Sequence, residues 1–482
     1  MSMKDNPFQD SRRKFFGQAS CAAVGSSTLL STLFNLKGIN ASVGFNSSIN
    51  NNPNDYKALV CVLLGGGNDA FNMLMPRTGA AYTEYANTRT NQAIPQNQIR
   101  AINPIISDGK EYGVHPSMIH MQSMFEDGKL AFISNIGTLV QPITKQQFYA
   151  GTIPTPIGLY SHIDQVTHWQ TGIPSARQAQ GWGGKMADLL VASNENQNIS
   201  MSISTSGGNV FQSGNNSVEF SINPLAGEIG INGYNDDWEI MEYRRQAFDA
   251  MMNPDYQNIF KKAYTETNKK AINGAEILRP IRANTPTWTT PFVPYLMDRF
   301  GPITKNFHEI ANLIAGRDQI DMKRQIFFVE FGGFDMHDEL LTDHSERLIE
   351  LDRALHSFNQ AMIQLGLQDS VTTFSLSEFS RTLTSNGNGT DHAWGANTFV
   401  MGGAVNGKKM YGDYPSLSLG NSNPLEIGGG SLIPTTATDV YFAELALWFG
   451  VPASDLALLF PNIGTFYDTT SGNNPLGFMN LV

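Results

Sequence analysis

Cysteine is nearly absent from this sequence, with two in 482 residues, and that excludes a disulfide framework of the kind that staples small secreted domains. A basic excess is missing too: 32 Lys and Arg stand against 43 Asp and Glu, for a formal net charge of −11. Without a cluster of Lys and Arg there is no footprint for displacing counterions from phosphates, so nucleic acid is not an expected partner. No run of roughly 20 predominantly apolar residues occurs, so no membrane-spanning helix is expected in the mature chain. No internal repeat and no long low-complexity tract stands out. What is present suffices for a full core: 41% hydrophobic residues over a length that allows one large α/β domain or two to three average ones.

The amino terminus reads as an address. Ser11-Arg12-Arg13-Lys14-Phe15-Phe16 is followed by a weakly apolar stretch, Gly17 to Leu36, and by small residues around Asn40-Ala41-Ser42. Residues 1–41 resemble a twin-arginine export signal, in which the paired Arg12 and Arg13 are the specific part. A lipoprotein signal ending at Cys21 is disfavoured, because Gln18 stands where a Leu-like residue belongs. The resemblance implies the twin-arginine export machinery as a partner, a periplasmic or secreted location, and a chain that folds before it crosses. Residues 42–55, rich in Asn and Ser with Pro53, read as a linker.

Beyond the linker, short apolar runs alternate with helical patterns. Ala58–Leu64, Leu130–Ile136, Gln325–Phe331 and Ser370–Leu376 lack polar alternation, which suits strands buried on both faces of a parallel sheet. Met118–Asp127 and Ser345–Leu365 carry helical spacing, the second with Leu348, Leu351, Leu355, Phe358, Met362 and Leu365 on one stripe. This order predicts an α/β fold, a doubly wound and mainly parallel sheet over residues 56–482, with sites at the carboxyl ends of its strands. The Asn-, Ser- and Gly-rich stretch from Ser193, with β-like pieces at Ile199–Ile203 and Val218–Ile222, predicts a peripheral β-rich and helical insertion over about 193–300. Asp439–Phe449 predicts an amphipathic core helix.

Three strand ends carry polar residues that packing does not require. Gly65-Gly66-Gly67-Asn68-Asp69 offers a sharp turn and, in Asp69, either a hard oxygen ligand or the N-cap of a following helix. In Gly332-Gly333-Phe334-Asp335-Met336-His337, the carboxylate and imidazole two apart suit zinc, manganese or iron. Ser377-Glu378-Phe379-Ser380-Arg381 leads to Asp391-His392: Glu378 and Arg381 either pair or serve a site, Arg381 as an oxyanion clamp, while Asp391 and His392 supply ligands or an acid–base group. Ser161, in Tyr160-Ser161-His162-Ile163-Asp164-Gln165, is placed to start a helix, either as a nucleophile or as an ordinary cap.

These segments, with Val114-His115-Pro116, Ala393-Trp394-Gly395 and Trp448-Phe449-Gly450, resemble the exported domain-of-unknown-function 1501 family, a distant branch of the alkaline phosphatase and sulfatase superfamily. The resemblance implies an alkaline-phosphatase-like fold and a metal-dependent hydrolase of phosphate or sulfate esters, with a small-molecule or carbohydrate ester as substrate. It implies a divalent metal (zinc, calcium or manganese) on Asp69, Asp335, His337, Glu378, Asp391 and His392. Ser161 falls at the nucleophile's place, with Arg381 and His392 assisting. A second reading is a non-catalytic or carbohydrate-associated envelope protein on a degenerate hydrolase fold.

Overall fold

The computed structural model describes residues 55–225, 234, 238–289, 292 and 301–481. The expected signal at 1–41 and all of the expected linker except its last residue lie outside the described residues. That last residue, Asp55, is already tied to the domain: its carboxylate meets the buried Arg324 guanidinium at 3.0 Å.

Among the described residues twelve strands form: β1 (Lys57–Gly65), β2 (Leu74–Pro76), β3 (Arg100–Ile102), β4 (Tyr112–Val114), β5 (Leu130–Gly137), β6 (Ser202–Ser204), β7 (Phe220–Ser221), β8 (Arg324–Gly332), β9 (Val371–Leu376), β10 (Ala396–Met401), β11 (Met410–Tyr411) and β12 (Thr436–Ala437). Among the described residues, nine make the central sheet in the order β11-β5-β10-β9-β1-β8-β6-β7, with β12 also on β5, while β2, β4 and β3 form a small second sheet. β1 lies parallel between β8 and β9, and among the described strands of the central sheet β10 alone runs against its neighbours. The four apolar runs are thus β1, β5, β8 and β9, at nearly their expected bounds.

The buried runs follow from a sheet covered on both sides. Along β1, Val60, Val62 and Leu64 enter one core, and Leu59, Cys61 and Leu63 enter the other, because successive side chains point to opposite faces. The first core is closed by α1 (Ile119–Glu126), α6 (Gly301–Ala315) and α7 (Leu340–Gln364), through Phe125, Phe307, Leu351 and Phe358. The second is closed by α2 (His162–Thr171), α3 (Trp182–Leu189) and α8 (Thr438–Phe449), through Trp169, Trp182, Tyr441 and Phe442. The mixed α/β class and mostly parallel sheet are as expected.

Three details differ from expectation. The two β-like pieces after Ser193 shorten to β6 and β7 and extend the central sheet beyond β8, before the helices α4 (Glu239–Met252) and α5 (Ile259–Ala283). α7 starts five residues before Ser345, because Leu340 is itself buried and its amide is held by the Asn388 carbonyl. α8 is buried almost all round, with only Leu447 partly exposed, so it is a core helix without a polar face. No helix among the described residues is long and apolar enough to cross a membrane.

Candidate metal centre

Three adjacent strands set the floor of the site. Register places Gly65 beside Gly332 and Leu63 beside Leu376, so the chain leaves β1, β8 and β9 at one edge, where open α/β sheets hold their ligands. Gly66 and Gly67 turn the chain with φ of 116° and 83°. A Cβ on Gly66 would meet the backbone of Asp335, and one on Gly67 the Phe379 ring, so only glycine lets these segments touch.

Arg381 binds the segments together. Its Nε donates to the Gly67 carbonyl at 3.0 Å, and Nη1 to the Thr390 carbonyl at 3.1 Å. Nη2 donates to the carbonyls of Gly66 and Phe334 and to the Asp335 carboxylate. Nη1 also faces His337 Nε2 at 3.3 Å. The guanidinium is fully buried and all its N–H groups are engaged, so it has none left to clamp a substrate oxyanion. Nor does it pair with Glu378, the other role the sequence allowed.

Three imidazoles close on Asp335. His162 Nε2 lies 3.5 Å from Oδ2, His337 Nε2 3.1 Å from Oδ1, and His392 Nε2 3.4 Å from Oδ1. The other nitrogen of each ring meets an oxygen: Glu378 Oε1 at 2.9 Å for His162, Asp391 Oδ1 at 3.3 Å for His337, and the Tyr160 carbonyl at 2.9 Å for His392. Carboxylates and carbonyls only accept, so Nδ1 is the donor toward each of these oxygens, and a ring that holds no second proton turns its Nε2 lone pair toward Asp335. Arg381, which can only donate to His337 Nε2, demands the same tautomer there. The lone pairs of His337 and His392 then face each other across 3.2 Å, a repulsive contact unless a proton or a cation stands between them.

Electrostatics disfavours the proton at His392, whose burial holds its basicity below the ordinary value. Burial raises the Asp335 carboxyl, but the hydrogen bond and charge of Arg381, then His162 and His337, outweigh it and keep Asp335 below the usual carboxylate range. His162 is shifted upward, chiefly by its hydrogen bond to Glu378. Asp335, Glu378 and Asp391 against the single guanidinium leave the site net negative.

The donor set fits a transition-metal ion. Donor atoms of His162, Asp335 and His392 all lie within 4.8 Å of one another. His337 Nε2 also lies 3.1 Å from Asp335 Oδ1 and 3.2 Å from His392 Nε2, but its lone pair faces Arg381 Nη1. Second oxygens on Nδ1 are what metal-binding histidines ordinarily carry. Phe379 walls one side, stacked on His392 at 4.4 Å and against His162 at 4.9 Å.

The other expected residues sit apart from these donors. Asp69 is buried beneath the turn in an ion pair with Arg89, both fully enclosed; packing has spent this carboxylate on an interior cation, and the structure does not bring it to the cluster. Ser161 is the N-cap of α2, its hydroxyl accepting from the Asp164 amide at 3.4 Å. Glu378 and Asp391 touch the cluster only through His162 and His337.

A family model described as a protein of unknown function (DUF1501) matches residues 56–428, a span that contains every residue of this centre. The chain belongs to the DUF1501 family. No curated protein matches it. Two solved structures are similar to this DUF1501 chain at low levels. The crystal structure of Ps i-CgsB in complex with k-i-k-neocarrahexaose is 11% identical over 86% of this chain and 74% of its own, with a TM-score of 0.30. The crystal structure of Ps i-CgsB is 9% identical over 84% and 72%, with a TM-score of 0.31.

His162 is the member of this cluster that the sequence pattern of this DUF1501 chain did not single out. Its signal was present: it directly follows a capping serine, where the first helical turn faces the sheet edge. The capping Ser161 drew the chemical reading instead. The Tyr160 carbonyl that holds His392 is a backbone group, and residue type carries no sign of it.

Proposed function

We propose that this protein is an exported, divalent-metal-dependent hydrolase of phosphate or sulfate esters on an alkaline-phosphatase-like sheet. The observation that carries the reading is the convergence of three imidazole Nε2 atoms on one carboxylate, each ring oriented from behind by an oxygen. His162, Asp335 and His392 would hold the ion, with His337, whose Nε2 accepts from Arg381, beside them. A divalent ion there supplies Lewis acidity toward an ester oxygen and toward a water. Zinc and manganese suit the nitrogen-rich donors better than calcium, which takes oxygen ligands.

The chain's own residues have separate tasks. Arg381 fixes Asp335 and joins the β1, β8 and β9 ends, so it positions a ligand and leaves the ester's charge to others. Phe379 keeps water from one side of His162 and His392. Ser161 is engaged as a helix cap, so in this reading a water replaces it as the nucleophile.

Elemental mass spectrometry of purified wild type and Asp335→Ala, alongside assays on phosphate and sulfate esters, tests the proposal. Near-stoichiometric metal in the wild type, its loss in the variant, and turnover of an ester class are expected. A folded wild type that takes up no metal and turns over no ester would leave the non-catalytic envelope role.

A further inference from the structure

We propose that Glu378 is a positioning residue of this centre, acting through His162 and not as a ligand; the inference rests on the metal reading above. Glu378 is 2% exposed, and its Oε1 accepts from the Gly66 amide at 2.7 Å and from His162 Nδ1 at 2.9 Å. Its main-chain carbonyl accepts from Trp169 Nε1 at 3.0 Å, on the same helix as His162. The residue is therefore pinned both to the β1 turn and to α2, the two elements that place the His162 ring.

Geometry separates this role from coordination. Oε1 faces Nδ1, so the imidazole stands between Glu378 and the Nε2 side where Asp335, His337 and His392 gather. Oε2 is buried and finds no partner, so the carboxylate is served by the two donors on Oε1 alone. The other two rings are held by weaker devices: the Asp391 carboxylate is largely exposed, 63% for the side chain, at 3.3 Å, and Tyr160 offers a neutral carbonyl. Of the three acceptors behind the histidines, Glu378 alone combines burial with charge, so the largest effect on metal affinity is expected there. Outer partners of metal-binding histidines typically contribute about 10- to 100-fold in affinity.

The test is a Co(II) titration of the full-length chain, read by visible absorption and by chelator competition, with urea denaturation run in parallel. Glu378→Ala is expected to weaken Co(II) binding by about 10- to 100-fold and to alter the absorption bands, while Asp391→Ala changes affinity by less than about 3-fold. Glu378→Gln keeps the shape and the acceptor, and guards against misfolding of the alanine variant; loss of charge alone should weaken binding by about 10-fold. Against a His162→Ala background, Glu378→Ala should cost nothing further, as a residue acting only through His162 requires. An added loss in that background would make Glu378 a ligand and overturn the proposal. A lowered denaturation midpoint with unchanged Co(II) affinity and spectrum would reduce Glu378 to a structural pin and overturn it equally. Wild type that takes up no Co(II) would remove the metal reading itself, a result distinct from both.

Discussion

Asp69→Asn separates a ligand from a structural carboxylate. Asp69 and Arg89 are both fully buried, and Arg89 also donates to the Thr382 carbonyl at 2.9 Å, in the segment that follows Arg381. Burial pushes the Asp69 carboxyl upward and outweighs the opposing charges of Arg89 and Arg381, so the intact pair contributes little net stability. Breaking it is another matter, because the guanidinium then stays inside the protein without its counter-charge. The expected loss is about 3–5 kcal/mol, a large part of the roughly 5–15 kcal/mol that holds a typical domain. Urea unfolding followed by circular dichroism reads that loss, and elemental analysis of the folded fraction reads the metal. A paired change, Asp69→Leu with Arg89→Met, should recover most of the stability, since replacing both charges with apolar groups removes the unpaired one. Metal lost in Asp69→Asn while the unfolding free energy stays within about 1 kcal/mol of wild type would refute the assignment and return Asp69 to the ligands.

Ser161→Ala should cost about 1 kcal/mol through the lost cap of α2 and keep most of whatever ester turnover the wild type has; abolished turnover in a stably folded variant would restore Ser161 as the nucleophile. Gly66→Ala should displace Asp335, since the new Cβ meets its backbone and the left-handed φ adds about 1–3 kcal/mol of strain; a metal titration matching wild type would contradict the packing argument. Asp439 is fully buried with no partner from another residue for either carboxyl oxygen, and burial raises its pKa to about 8. The native state therefore keeps this proton at pH values where the unfolded chain, near 3.9, has lost it. Its contribution is fully present below about pH 4 and is lost as pH rises toward 8. Asp439→Asn should match wild type at low pH and exceed it by an order of a few kcal/mol near pH 8; parallel stability curves for the two proteins would rule this out.

The sheet was legible because its strands are buried on both faces. Uninterrupted apolar runs have few other homes, and β1, β5, β8 and β9 fall where those runs stand. β6 and β7 were harder to place. Each is two or three residues long, contains Ser, and is held to the sheet by parallel backbone pairing, β6 with β8 and β7 with β6. Backbone hydrogen bonds leave no mark on residue type, so only the β-like character of the pieces could be read. α8 misled in the opposite sense: helical spacing of its apolar residues implies a polar face, but Glu444 turns inward to accept amide hydrogens from Leu476, Gly477 and Met479.

The candidate site divides along the same physical line. Residues whose chemistry acts at short sequence range, Asp335 with His337 and Asp391 with His392, could be paired from spacing alone. Charges that meet across the fold could not. Asp69 and Arg381 both looked available, and each is consumed by a partner far along the chain, Arg89 for the first and four backbone carbonyls with Asp335 for the second. Conversely, His162 joins the cluster through an acceptor 216 positions away. In such a site the informative quantity is the count of unspent donors and acceptors. Arg381 has no N–H to spare, and its donors already take His337 Nε2 and one oxygen of Asp335, which leaves His162 Nε2, His392 Nε2 and the other Asp335 oxygen to face one another. In the proposed reading a divalent ion takes that space, and loss of bound metal on changing Asp335 is the sharpest consequence of that reading.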